Sequence, residues 1–89
     1  MDSKINWVLQ IDPAVSKTLE KMPRTDAGRV FFAIQSLSSN PFYGDIQKMK
    51  GEKNVWRKRV GSYRIFYEIV FNSKIVYVFH AERRTSKTY

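Results

Sequence analysis

The chain has 89 residues, of which 43% are hydrophobic, which is enough for one domain with a modest core and too little for two. It has no cysteine, which excludes a disulfide scaffold and any chemistry that depends on a thiolate. The net charge is +8 and is confined to one half: residues 1–45 carry five basic and five acidic side chains, whereas residues 46–89 carry eleven basic and three acidic ones.

This segregated charge indicates a polyanionic partner, and nucleic acid is favoured over a membrane because no basic amphipathic helix accompanies it. The alternative is that the charge only keeps a small domain in solution. No window approaches the roughly 18 apolar residues of a membrane span, and the N-terminus lacks the apolar core of a signal peptide. We therefore expect a cytoplasmic protein with a single domain at residues 1–89.

The first half of the chain predicts one strand followed by two helices. Residues 5–11 alternate between apolar and other side chains, which is typical of a strand with one buried face. Asp12 and Pro13 suit the N-cap and first position of a helix, and Pro23 ends that helix. A second helix begins at Thr25 or the next residue. Its apolar stripe consists of Ala27, Val30, Phe31, Ile34 and Leu37.

The second half predicts four strands joined by short turns, at residues 46–51, 55–60, 63–71 and 74–81. Gly61-Ser62 is typical of a tight hairpin turn, and Asn72-Ser73 predicts a second one. The element order β-α-α-β-β-β-β indicates an α+β fold, in which a helical hairpin packs on one face of a mostly antiparallel sheet. The other face of the sheet is then available for function.

The hairpin around Gly61 predicts a phosphate-binding surface. Strand alternation places Arg57 and Arg59 on one face, and the turn returns Arg64 to the edge of that face. Guanidinium groups in one place repel each other unless an anion lies opposite them. The other face takes Trp56, Lys58 and Val60. The aromatic residues Trp56, Tyr63 and Tyr67 are expected in the core or in cross-strand pairs.

Three segments resemble the RelE/ParE superfamily of bacterial and archaeal toxins, and the resemblance extends along the whole chain. The first is the run from Trp56 to Ile69, which reads WRKRVGSYRIFYEI. The second is the preceding Lys48-Met49-Lys50-Gly51. The third is the tail, in which Arg83 is followed six residues later by Tyr89. The resemblance therefore implies a RelE-like fold.

The resemblance also implies a toxin of a type II toxin–antitoxin system. RelE-type toxins cut messenger RNA in the ribosomal A site and use no metal or other cofactor. They position the ribose 2′-hydroxyl to attack the neighbouring phosphate, which leaves a 2′,3′-cyclic phosphate and a free 5′-hydroxyl. The expected partners are that mRNA and a RelB-like antitoxin, which should be acidic and partly disordered so that it folds on the basic surface.

The residues matched to the family's catalytic positions are Arg57, Arg59, Arg64, Arg83 and Tyr89. We expect Arg64 and Arg83, both on the open face, to clamp the scissile phosphate, since arginine presents a planar fork to two phosphate oxygens. Tyr89 would stack on a base or donate its phenolic proton. The basic residues expected to contact the RNA backbone are Lys48, Lys50, Lys58, Arg84 and Lys87.

The general base is left open by the sequence. Arg57 and Arg59 stand where RelE proteins often carry lysines, and arginine cannot lose its proton in a protein. The base is then Lys48, Lys50 or Lys58, or the reaction depends on positioning and electrostatics alone. The single histidine, His80, is either an acid–base group near the tail or a half-buried structural residue.

Two alternatives remain beside the nuclease. ParE-type toxins poison DNA gyrase and have no nuclease activity; loss of the tail arginine and tyrosine is compatible with that role, whereas this chain keeps both residues. A catalytically weak RNA-binding homologue is the other alternative, because the family's lysines are missing from the first hairpin strand.

Overall fold

The computed structural model describes residues 7–84, which form two helices packed on one side of a five-stranded sheet. The strand order is β1-β5-β4-β3-β2; β1 runs parallel to β5, and all other neighbours are antiparallel. The predicted α+β fold is therefore confirmed. The elements are β1 (Val8–Ile11), α1 (Pro13–Glu20), α2 (Arg24–Ser36), β2 (Ile46–Lys48), β3 (Val55–Val60), β4 (Tyr63–Val70) and β5 (Ile75–Arg83).

Some boundaries differ from the predicted ones. Strand β2 has three residues and ends at Lys48, whereas the sequence predicted a strand to residue 51. Helix α2 begins at Arg24, directly after Pro23. The second turn spans Phe71 to Lys74, and Lys74 takes a left-handed φ of 56°. Residues 5 and 6 of the predicted first strand lie outside the described residues.

Helix α1 begins where the sequence predicted it because Asp12 satisfies the first free backbone N–H groups. The Asp12 carboxylate accepts a hydrogen bond from Ala14 N at 2.9 Å and a second from the Tyr77 hydroxyl on β5. Pro13 takes the first helical position, where its missing N–H is not needed. The Tyr77 bond, and then the Ala14 bond, lower the pKa of Asp12. The cap thus ties the start of the helix to the sheet.

We expect Asp12→Ala to lower the Tm at neutral pH and to have less effect in acid. The folded pKa of Asp12 is depressed, so its stabilising contribution is present above the unfolded value of about 3.9 and is lost as the pH falls through the folded value. Thermal unfolding of wild type and variant at about pH 7 and about pH 2 measures this. Glu20→Ala, an exposed change in the same helix, is the control. A Tm difference that does not shrink in acid would contradict the assignment.

The core lies between the helices and alternate residues of β4 and β5. From α2 and its C-cap, Val30, Ile34 and Leu37 are buried. Phe31, predicted to belong to the same stripe, is 43% exposed. At 100° per residue it lies about 90° around the helix from the centre of the buried set, so the stripe is narrower than predicted. The sheet contributes Tyr63, Ile65, Tyr67, Ile69, Val76, Val78 and Ala81.

The β3–β4 hairpin has the predicted two-residue turn, Gly61-Ser62. The flanking residues Val60 and Tyr63 are paired. Gly61 has a φ of 59°, a left-handed conformation that glycine adopts without steric cost. This turn fixes which residues of β3 lie opposite which residues of β4.

Strand β5 contains one residue more than β4 near the middle of the ladder that the two strands form. Phe66 pairs with His80 and the next residue, Tyr67, pairs with Val78, so Phe79 has no partner on β4. The extra residue is a β-bulge. It shifts the alternation of side chains by one position along the rest of the strand.

The bulge decides which face the end of β5 presents. After it, Ala81 is buried on the helical side, while His80 and Glu82 lie on the opposite face. Arg83 pairs with Tyr63, a core residue, so its side chain leaves the sheet on the helical side. Strict alternation from Val78 predicts the reverse arrangement, and this is why the expectation that Arg83 lies on the open face was wrong.

Candidate functional site on the open face of the sheet

The sheet face away from the helices carries two cross-strand rows of side chains. The first row is Gln47, Arg57, Phe66 and His80; the second is Arg59, Arg64 and Glu82. We call these seven residues the arginine face. Arg59 lies directly opposite Arg64, and Arg57 lies two residues before Arg59 on the same strand. The predicted placement of the three arginines on one face is therefore confirmed.

Two of these arginines already have carboxylate partners. Arg59 Nε lies 2.9 Å from Asp45 Oδ2, and Arg64 Nη2 lies 3.0 Å from Glu82 Oε2. Both pairs are partly exposed, so each contributes at most about 1 kcal/mol and can exchange its carboxylate for another anion. The repulsion that the sequence predicted to need an external anion is thus partly relieved within the chain.

Arg57 is the arginine of this face that lacks a carboxylate partner within residues 7–84. Its guanidinium donates to the side-chain oxygen of Gln47, a neutral partner, and no carboxylate among residues 7–84 forms a salt bridge with it. The charge of Arg57 is therefore available to an incoming anion. The Nε atom of Arg64, by contrast, is buried and has no hydrogen-bond partner in the described part of the chain, so an anion from solvent does not reach it.

His80 and Phe66 occupy the middle of the arginine face. The His80 Nε2 atom lies 3.0 Å from Glu82 Oε1, and its ring centroid lies 5.5 Å from that of Phe66. The His80 side chain is 52% exposed on this face, so it is within reach of a bound molecule, and an acid–base role for it stays a prediction. Gln47, Phe66 and Glu82 were not among the residues predicted for the site. Phe66 could have been found, since it lies two residues after Arg64 on the same strand.

The lysines lie elsewhere. Lys58 pairs with Ile65 of the core and is 7% exposed, and Lys48 pairs with Trp56 on the same helical side. The Lys48 ammonium donates to the backbone oxygen of Glu52 at 3.1 Å. Neither lysine shares a face with the arginines, which disfavours both as the base, and the identity of the base stays a prediction. Lys50 is exposed in the loop after β2.

Lys58 packs against the loop before β2. A Cβ on Gly44 would lie 3.2 Å from Lys58 Cε, and the ammonium lies 5.8 Å from the centre of the Tyr43 ring. Burial lowers the pKa of Lys58. Folding therefore disfavours the charged form of Lys58, so this side chain lowers the free energy of unfolding.

We expect Lys58→Met to raise the free energy of unfolding by about 1 kcal/mol, because methionine fills the space without a desolvated charge. Urea unfolding measures the change, and the exposed Lys21→Met is the matched control. A folded Lys58→Met variant that is less stable than the wild type would contradict the assignment.

The two arginines at the end of β5, Arg83 and Arg84, lie in different places. Arg83 is exposed on the helical side, where its charge counteracts the rise in the pKa of Tyr63 that Asp26 causes. Arg84 is held at the hairpin turn: its N–H donates to Ser62 O at 2.5 Å and its Nη1 donates to Gly61 O at 3.4 Å. Tyr89 and Lys87, also predicted to belong to the site, lie outside the described residues.

The three aromatic residues of the hairpin are core residues, as predicted. Tyr63 and Tyr67 are buried and Trp56 is half-buried against them. The Tyr67 hydroxyl donates to the backbone oxygen of Pro41 at 2.6 Å, and burial raises the pKa of Tyr67. The Tyr63 hydroxyl donates to Asp26 at 2.9 Å. None of the three is free to stack on a base.

No helix within residues 7–84 is long and apolar enough to cross a membrane.

Comparison with solved structures identifies the fold. The chain resembles the RelE–RelB complex of the archaeon Pyrococcus horikoshii with a TM-score of 0.80 at 22% identity, covering 93% of this chain and 100% of that one. It resembles the isolated RelE toxin of E. coli with a TM-score of 0.77 at 16% identity, covering 91% and 87%. At these identities the likeness establishes a RelE-like fold.

Comparison of sequences identifies the family. Over 79 residues the chain is 28% identical to RelE1 of Methanocaldococcus jannaschii, a protein described as a candidate toxin, and the match covers 85% of this chain and 88% of the relative. Residues 9–85 match the family model described as the ParE toxin of the type II toxin–antitoxin system parDE. The predicted membership of the RelE/ParE superfamily is confirmed: the chain belongs to this family of type II toxins, as a RelE-like member.

Proposed function

We propose that this toxin is a ribosome-dependent mRNA endonuclease, in which the arginine face binds the scissile phosphate while the ribose 2′-hydroxyl attacks it. The observation that carries the proposal is the grouping of Arg57, Arg59 and Arg64 in adjacent rows of one open face. Arg57 supplies a charge that no carboxylate neutralises among the described residues. Arg59 and Arg64 supply planar guanidinium groups, and phosphate oxygens can replace the carboxylates that these groups now contact.

The chemistry suits this arrangement. The attack passes through a pentavalent phosphorus with additional negative charge, so fixed cations stabilise the transition state more than the ground state. Exchange of Asp45 and Glu82 for phosphate oxygens would bring Arg59 and Arg64 into bidentate contact with the RNA. Phe66 offers a ring on the same face, on which a neighbouring base can stack.

The remaining predicted site residues stay part of the proposal in a reduced role. Lys50 and Arg84 are exposed near the ends of the hairpin and suit contacts to the RNA backbone. Arg83 reaches RNA only from the helical side. Tyr89 and Lys87 retain the roles that the family resemblance implies, and the proposed substrate places the protein in the cytoplasm.

The proposed partner is an antitoxin. Five of the structural neighbours are described as complexes of RelE and RelB proteins. The net charge of +8 favours an acidic segment, and the arginine face offers sites where its carboxylates could replace Asp45 and Glu82. Such a segment would fold on binding and cover the site.

Primer extension on mRNA tests the proposal. The purified toxin is added to a translation extract and to the same mRNA without ribosomes. We expect cuts at codon spacing in the extract and none in the RNA alone. Intact mRNA in both reactions would overturn the proposal.

The second candidate is a gyrase-directed toxin, and two observations favour it. The matching family model is described as ParE, and Arg83 is turned away from the arginine face. Plasmid DNA, gyrase and the toxin are therefore incubated in parallel. DNA breaks that require gyrase, together with intact mRNA, would establish this function instead.

A further inference from the structure

The proposed reaction needs a group that removes the proton from the 2′-hydroxyl, and the arginines cannot supply it. The lysines of β2 and β3 lie on the helical side. On the arginine face itself, the one imidazole is that of His80, and imidazole is the side chain that serves most often as a general base.

His80 is held in a defined orientation by two linked contacts. Its Nε2 lies 3.0 Å from Glu82 Oε1, and the other oxygen of Glu82 lies 3.0 Å from Arg64 Nη2. A carboxylate only accepts hydrogen bonds, so the neutral imidazole that bonds to Glu82 carries its proton on Nε2. Its Nδ1 is then an acceptor, and it has no hydrogen-bond partner within residues 7–84. The His80 side chain is 52% exposed, so a substrate can reach it.

We propose that His80 is the general base of the cleavage reaction and that Glu82 orients it; the inference depends on the proposed nuclease function. Nδ1 takes the 2′-hydroxyl proton while O2′ bonds to phosphorus. The P–O5′ bond breaks, its electron pair stays on O5′, and a water molecule protonates that oxygen. The imidazolium, stabilised by Glu82, then returns its proton to the hydroxide so formed.

The surroundings of His80 suit this role. Its cross-strand neighbour is Phe66, an aromatic ring that limits access from one side. Strand β1 pairs with β5 only as far as Val78, and Asp12, which follows it, is bonded to Tyr77. The charged and titratable groups facing His80 are Glu82 and Tyr77 from its own strand, Arg64 and Glu68 from β4, and Arg57 and Arg59 from β3.

The test measures the single-turnover rate of mRNA cleavage on programmed ribosomes, with toxin in excess, from about pH 6 to about pH 8.5. The variants are His80→Gln and His80→Ala, with Lys21→Gln as an exposed control and thermal unfolding as the check on folding. Added imidazole is tried with His80→Ala and with Arg57→Ala. Imidazole can replace a missing base and cannot replace a missing phosphate clamp.

We expect His80→Gln to be about 100-fold slower or more and to lose an inflection that the wild type shows in the neutral range. Imidazole should accelerate His80→Ala and leave Arg57→Ala unchanged. A folded His80→Gln within about threefold of wild type overturns the inference, as does a slow variant with an unchanged pH profile and no rescue. Wild type that cuts no mRNA refutes the proposed function, and the inference falls with it.

Discussion

Replacing Arg57 with alanine is expected to lower the single-turnover rate of mRNA cleavage by about 100-fold or more, which is the usual effect of removing a fixed charge from a transition state. Arg57 is the arginine of the open face whose charge no carboxylate offsets within residues 7–84. Its loss also removes the hydrogen bond to Gln47 and nothing from the core. Primer extension with ribosomes measures the rate, and an unchanged Tm confirms that the variant folds.

Arg29→Ala is the matched control, because Arg29 is an exposed arginine on α2, on the opposite side of the sheet. It removes the same charge from the protein as a whole, so a similar loss in both variants would indicate that net charge, rather than the arginine face, supports activity. Arg59→Ala should cost less than Arg57→Ala, since Asp45 already neutralises Arg59. A harmless Arg57→Ala would refute the role of the arginine face.

Tyr67→Ala is expected to lower the free energy of unfolding by about 3–5 kcal/mol. Tyr67 is fully buried in β4, among the residues with which α2 packs. The variant leaves a cavity and removes the only described hydrogen bond to the backbone oxygen of Pro41. For a domain of this size that is a large share of the total stability, and urea unfolding measures it.

Tyr67→Phe separates the hydrogen bond from the packing. It keeps the ring and leaves the Pro41 oxygen without its donor, so a loss of about 1–3 kcal/mol is expected. Tyr43→Phe removes the hydroxyl from a tyrosine that is 68% exposed and should change stability little. If both phenylalanine variants unfold alike, the bond to Pro41 does not anchor the loop between α2 and β2.

The sequence was sufficient where one local rule decides the geometry. The hairpin turn at Gly61 and the alternation on either side of it placed Arg57, Arg59 and Arg64 correctly, because the chain reverses within two residues and no long-range contact is needed. The same rule showed that Lys58 faces the core. The capping of α1 by Asp12 was equally local.

The sequence was insufficient where an irregularity intervenes. Nothing in the run from Ile75 to Glu82 indicates that Phe79 will be left unpaired, because the bulge depends on how β5 fits against β4. The prediction for Arg83 failed for this reason. The pairing of Arg59 with Asp45 spans 14 residues and an irregular loop, so its partner could not be read from spacing.

The bulge at Phe79 also lets β5 carry one residue more than β4 without changing the arginine face. Deleting Phe79 would restore strict alternation and leave each later residue of β5 opposite its present partner on β4, so His80 and Glu82 would stay on the open face and Arg83 on the helical side. The arginine face therefore tolerates a shortening of β5 at this residue. Loss of Ala81 instead would turn Glu82 to the helical side and Arg83 to the open face.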